Sequence, residues 1–376
     1  MQPIINTWDD LNLKPDLLRG IYAYGFENPS DIQKKAIFPI INENDVIAQA
    51  QSGSGKTGTF SISALQRVDT TINETQILII APTRELAIQI YTVITNIGIN
   101  ISNLQVKSLV GGSSVKNDIY HMRKQIPHII VGCAGRVFDM IRRNRIKMET
   151  VRLFILDEAD EMLSGGFKDQ IHEIFKYFNA NVQVAIFSAT MPEEVLLLTD
   201  KFMRTPVQII VKKEELTLEC IEQKYVALYS DEDKFEMLKS IFDMISVNQC
   251  IIYCNSVRRV NELYNVMNKN GFSVSAIHSS MEKADREIVF KTFRSGGSRV
   301  LISSDVTARG IDVQQVSTVI NFDIPNNVHT YLHRIGRSGR WGRKGLAINF
   351  ITKRDINQMK NIEKHYCINI TELQSR

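Results

Sequence analysis

Residues 45–60 read DVIAQAQSGSGKTGTF. An apolar run short enough for a buried strand ends at Ala50, a glycine-bearing loop follows, and the residues after Lys56 begin a helical pattern. Gly53 and Gly55 let the backbone curl so that its N–H groups converge on an anion. Lys56 adds a cation, and the Thr57 hydroxyl can ligate Mg²⁺. The usual phosphate-loop expression opens on glycine, whereas this one has Ala50. A bare loop of this kind also occurs as a tight strand-to-helix turn, but GSGKT between a strand and a helix favours a nucleotide phosphate.

About a hundred residues on, the stretch VRLFILDEADEML (151–163) ends an apolar run in Asp157, Glu158, Asp160 and Glu161. Carboxylates this close repel, and burying them costs several kcal/mol each (roughly) unless a cation is present. Either they form a solvated acidic turn or they share a site with the phosphate loop. In the second reading Asp157 holds Mg²⁺ through water, and Glu158 orients or deprotonates the attacking water.

Short apolar runs alternate with amphipathic stretches along the whole chain. QILIIAP, HIIVGC and VQVAIFSAT in the first half find counterparts in CIIYCNS, RVLISSD, TVINFD and GLAINFI in the second. Such alternation predicts parallel sheets covered on both faces. With 376 residues, the chain is too long for one ordinary core. Two doubly wound α/β domains are therefore expected, over 1–212 and 222–376, joined by a charged linker at 213–221. In such sheets ligands gather at the carboxyl ends of strands, where the unusual residues fall.

Residues 1–219 hold 23 Lys+Arg against 25 Asp+Glu, and the remainder 22 against 16, so the second half is basic and suits a polyanionic partner. No apolar run approaches the ~20 residues needed to span a bilayer, and the start MQPIINTWDD lacks the features of a secretory signal. Five cysteines, an odd number, point to reduced thiols; Cys250 and Cys254 find no second ligand pair for a metal. Cytoplasmic residence is expected, with nuclear residence as the alternative, and no membrane association.

YLHRIGRSGRWGRKG (331–345) places Arg334, Arg337 and Arg340 at a spacing that shares one helical face. The stripe reads as a solvated or nucleic-acid-binding face, or as an arginine finger for the γ-phosphate charge.

Together these motifs resemble the DEAD-box RNA helicases: AQSGSGKT, PTRELA (82–87), DEAD (157–160), SAT (188–190), ARGID (308–312) and HRIGRSGR (333–340) stand in that family's order. GFENPSDIQ (25–33) resembles its adenine-reading motif. Within the family, GRVFDMIRR, LDEADEML, VKKEELTLE and DVQQVS are most similar to translation initiation factor 4A and its exon-junction relative.

The resemblance implies two RecA-like domains, with ATP and Mg²⁺ as cofactors. Gln51, Ser52, Gly53, Ser54, Gly55, Lys56 and Thr57 would cradle the phosphates. Gln33 would pair with adenine, Phe26 and Trp341 would stack on it, Asp312 would contact the ribose, and Gly310 would belong to the same cofactor site. Lys56, Asp157, Glu158, Arg337 and Arg340 would be catalytic, with Thr57 and Asp157 at the metal. Ser188, Thr190, Asp160 and His333 would couple hydrolysis to RNA. Pro82, Thr83, Arg84, Gly111, Gly112, Cys133, Gly135, Arg136, Asn255 and Ser304 match RNA-contact positions. RNA would be held by its backbone, without sequence preference and sensitively to salt.

Three positions depart from the family: CAGR (133–136) stands for T-P-G-R, Ser279 follows His278 where glycine is usual, and Trp8 replaces phenylalanine. The first two predict weaker RNA binding with an intact nucleotide site; the third is an aromatic exchange. The resemblance implies an RNA-stimulated ATPase unwinding mRNA leader structure in translation initiation, as a monomer with a helical-repeat scaffold partner. The competing readings are an ATP-locked RNA clamp in an exon-junction or RNA-processing complex, and a catalytically weakened scaffold.

Overall fold

The structure is a computed structural model that describes residues 5–50, 53–164, 166–210, 221–244, 249–305, 316–338 and 344–373. The chain divides into two compact units, Met1–Val211 and Lys212–Arg376. Of the expected linker 213–221, only Ile221 lies among the described residues.

The first unit holds β1 (Val46–Gln49), β2 (Ile77–Ile80), β3 (Val106–Leu109), β4 (Ile129–Gly132), β5 (Leu153–Leu156), β6 (Gln183–Ser188) and β7 (Val207–Ile210). They form one sheet in the order β3-β4-β2-β5-β6-β1-β7, with every neighbouring pair parallel. Side chains alternate between faces with period two. Ile77, Ile79, Leu153 and Ile155 enter one core, and Leu78, Ile80, Phe154 and Leu156 the other. Both cores are capped by helices, which is why the strands read as continuous apolar runs.

The second unit holds β8 (Ile221–Ala227), β9 (Cys250–Tyr253), β10 (Val274–Ile277), β11 (Val300–Ser303), β12 (Thr318–Asn321), β13 (Gly345–Ile351) and β14 (Thr371–Glu372). Their order is β10-β11-β9-β12-β13-β8-β14, again all parallel. Adding seven to each strand number of the first sheet reproduces the second. The two units share one doubly wound topology, as the alternation of runs predicts. Each begins a helix after its first strand, Lys56–Arg67 in one and Asp233–Met244 in the other. No helix among the described residues is long and apolar enough to cross a membrane.

The arginine-rich stretch does not form the expected helical stripe. The helix Val328–Ile335 ends before Arg337, and Arg334 is wholly buried. A buried guanidinium persists only when its donors are satisfied. Arg334 donates to Asp305 Oδ1 at 2.6 Å, the Asp323 carbonyl at 2.8 Å, Asn255 Oδ1 at 2.8 Å and Asn321 Oδ1 at 3.3 Å. It is an internal strut, not a solvated charge.

Candidate nucleotide and nucleic-acid sites

In the first unit the loop after β1 turns at Gly53 (φ +87°) and Gly55 (φ +104°), left-handed conformations that glycine adopts without penalty. Lys56 opens the following helix and is only 6% exposed. Its Nζ has no hydrogen-bond partner among the described residues; the nearest anion is Glu158 Oε1, 3.5 Å away. A buried ammonium left this short of acceptors at the start of a helix that follows a glycine-bearing loop fits a phosphate.

Asp157 and Glu158 follow β5 directly, and both are buried with Asp160. Burial first, then the neighbouring Glu158 charge, push the Asp157 carboxyl up to about 7, against the opposing pull of Lys56. Asp157 and Glu158 set two buried carboxylates beside one lysine, a donor set that fits a divalent cation. Thr57, half-buried beside Lys56, is the hydroxyl closest in sequence to such a site. Glu158 takes φ +50°, a rare conformation for a residue with a Cβ. Its amide donates to Asp157 Oδ1 at 3.0 Å, which holds that turn.

The acids connect to the end of β6. Thr190 Oγ1 donates to Asp160 Oδ2 at 2.6 Å, and the Asp160 amide donates to Ser188 Oγ at 3.2 Å. The SAT stretch, a plain strand-end turn when considered alone, is thus fastened to the DEAD stretch within one unit.

Gln33 lies in the first turn of the helix Asp31–Ile41. Its Oε1 accepts the Ser30 amide at 2.7 Å, one half of a capping box, and its Nε2 donates to the Gly55 carbonyl at 3.4 Å. The amide is therefore oriented against the phosphate loop. The sequence motifs do not single out Gly58, yet a Cβ there would come within 2.7 Å of Gln33 Nε2 and 3.1 Å of Phe26 Cε2. Its position two residues after Lys56 was the available signal. Trp8 stacks on Phe26 (centroids 6.2 Å apart), and its indole N–H donates to the Phe26 carbonyl at 3.1 Å. Phenylalanine offers no such donor, so the exchange adds an anchor beneath Phe26.

On the same sheet edge, Pro82, Arg84, Gly111, Cys133, Gly135 and Arg136 line one groove of about 440 Å³. Thr83 and Gly112 adjoin it. Thr83 caps the helix Arg84–Ile97 by accepting the Leu86 amide at 3.2 Å, and a Cβ on Gly112 (φ +75°) would strike Arg84 Nη1. Cys133 holds the equivalent capping position on the helix Ala134–Arg142, but its side chain makes no capping bond. Burial pushes its thiol up to about 12, so it stays neutral. Arg136 is bound by its own unit. It donates to Ser113 Oγ (2.8 Å), to the Ser113 carbonyl (2.9 Å) and to Asp118, a buried acid the sequence reading did not single out.

In the second unit, Ser304 follows β11 with its Oγ buried and without a hydrogen-bond partner among the described residues. Asn255 follows β9, and Ser279 follows β10 in an exposed position. His333 and Arg337 are buried, and Arg337 Nε donates to the His333 carbonyl at 3.2 Å. Ser54 belongs to the loop of Gly53 and Gly55. Gln51, Ser52, Gly310, Asp312, Arg340 and Trp341 lie outside the described residues.

Residues 30–198 match the DEAD/DEAH box helicase family, and residues 233–342 the helicase conserved C-terminal domain. The chain is 54% identical over 370 residues to the ATP-dependent RNA helicase eIF4A of Debaryomyces hansenii, covering 98% of this chain and 93% of that protein. It is 51% identical to that of Schizosaccharomyces pombe, covering 98% and 94%. Among solved structures, Saccharomyces cerevisiae Dbp5 bound to RNA and ADP BeF3 superposes with a TM-score of 0.91 at 35% identity, covering 98% of this chain and 95% of that one.

Proposed function

The chain belongs to the DEAD-box family of ATP-dependent RNA helicases, and from that premise we propose that it unwinds mRNA leader structure in translation initiation. The observation that carries the enzymatic part is the buried Lys56–Glu158 pair beneath the glycine loop, 3.5 Å apart with Lys56 Nζ short of acceptors. The level of identity to eIF4A proteins along nearly the whole chain supports the role in initiation.

In this reading Lys56 and the loop amides hold the phosphates, and Gln33 with Phe26 selects and seats the adenine. Glu158 orients the attacking water and takes its proton. Mg²⁺, held by Thr57 and by Asp157 through water, would neutralise phosphate charge. Arg337 and Arg340 offset the charge that develops on the γ-phosphate, with Asp312 and Trp341 completing the nucleoside contacts. RNA runs along the groove of Arg84 and Cys133 and past Asn255 and Ser304. A helical-repeat scaffold protein is the expected partner.

Glu158→Gln tests the chemistry. ATP binding should persist while RNA-stimulated turnover falls by about 10²-fold or more, the contribution of a general base. Normal turnover in that variant removes Glu158 from its role. For the cellular role, a translation extract depleted of its factor 4A should regain cap-dependent synthesis when this protein is added; no recovery would count against initiation.

A further inference from the structure

The second unit carries an ion pair at strand ends equivalent to those of the phosphate site in the first, in different chemical surroundings. Lys56 stands seven residues past the end of β1 and faces Glu158, two past the end of β5. Lys234 stands seven past β8 and faces Asp323, two past β12. The two ion pairs measure 3.5 Å and 3.0 Å. Where the first unit has a glycine loop, the second reads YSDED (229–233), with three acids and no glycine. Asp231 lies 2.8 Å from Lys234 and also pairs with Arg259. The cavity there, about 630 Å³, is lined by Asp231, Glu232, Asp323 and Asp355 against Lys234, Lys353 and Arg354, an excess of acids that disfavours a phosphate.

What this pair supports is Asn255. Asp323 Oδ2 accepts the Asn255 amide at 3.2 Å. The Asp323 carbonyl accepts Arg334 Nη1, and Arg334 Nη2 donates to Asn255 Oδ1, both at 2.8 Å. Asn255 Nδ2 donates to the Ile324 carbonyl at 2.8 Å, which leaves its second hydrogen for an outside acceptor. We propose that Lys234 and Asp323 are positioning residues that aim Asn255 at an RNA phosphate oxygen. The side chain of Lys234 is 4% exposed and that of Asp323 16%. Without the lysine, Arg259 at 3.5 Å is the one cationic side chain left within ion-pair distance of the Asp323 carboxylate among the described residues, and the bond from that carboxylate to the Asn255 amide loses its support.

The inference rests on the RNA-binding reading, and one titration separates the two. RNA-stimulated ATPase is measured against single-stranded RNA for the wild-type chain, Lys234→Met, Lys234→Arg and Asp323→Asn. Lys234→Met and Asp323→Asn should each raise half-saturating RNA about tenfold, with kcat at saturating RNA within twofold. Lys234→Arg should return to within threefold of wild type. Unchanged half-saturation in Lys234→Met and Asp323→Asn overturns the proposal. So does a joint fall of kcat, RNA affinity and melting temperature in all three variants, which would make the pair a matter of general stability. Absence of RNA stimulation in the wild-type chain would instead sink the RNA reading.

Discussion

Thr190 Oγ1 and Asp160 Oδ2 lie 2.6 Å apart, both side chains buried, thirty residues apart in sequence. The hydroxyl is the donor that a buried carboxylate needs. Thr190→Val keeps the shape and removes that donor, a loss of about 1–3 kcal/mol. If this bond links hydrolysis to RNA movement, duplex separation should fall about tenfold (~1.4 kcal/mol) while RNA-stimulated ATPase stays within threefold. Measuring both in one preparation checks it; parallel losses would show that the bond serves hydrolysis itself.

Gly58 lies where any side chain meets Gln33 and Phe26. Gly58→Ala should raise half-saturating ATP about tenfold, ~1.4 kcal/mol, and narrow the preference for ATP over GTP. Helix propensity alone would favour alanine there by roughly 1 kcal/mol, so the melting temperature should not fall with the affinity. Nucleotide titrations with both triphosphates decide the matter.

Cys133 caps a helix without bonding to it, whereas Thr83 does so at the end of a neighbouring strand. Cys133→Thr should therefore stabilise by about 1 kcal/mol. That is a rise of roughly 2–4 °C in melting temperature for a unit of this size. The same hydroxyl should lower half-saturating RNA about two- to threefold, the worth of one hydrogen bond. Improved melting with unchanged RNA affinity would place Cys133 off the RNA path.

His128 is 3% exposed, and its Nδ1 accepts the Gln105 amide at 3.0 Å, so that nitrogen carries no proton. Burial holds its pKa below the ordinary 6.5. Between that lowered value and 6.5 the unfolded chain binds the extra proton more readily, so stability rises with pH there and is lost as pH falls below 6.5. Urea midpoints should drop less between pH 7 and pH 5 in His128→Asn than in the wild-type chain. Equal drops would exonerate His128.

The doubly wound architecture is legible in sequence because central strands such as Leu153–Leu156 are buried on both faces and so are wholly apolar. Outer strands are not. Val106–Leu109 is buried at only one of its four residues, and Ile221–Ala227 is buried only at Ile221 and Val226, reading as linker at its start. The phosphate loop and acids announce themselves because their chemistry permits few residue types. Arg334 misleads: three-residue spacing looks like a solvated stripe, and only the fold supplies the acceptors that bury it. Lys234 and Asp323 have no motif at all; the match to Lys56 and Glu158 appears once strand ends are aligned.

Glu158 stands at φ +50°. Residues comfortable there are glycine, asparagine and aspartate. None carries a carboxylate on an arm as long as glutamate's. A library randomised at this codon and selected for growth should return glutamate alone, while selection for thermal endurance should drift toward the other three. The reach of the carboxylate holds glutamate at this position against the preference of its own backbone.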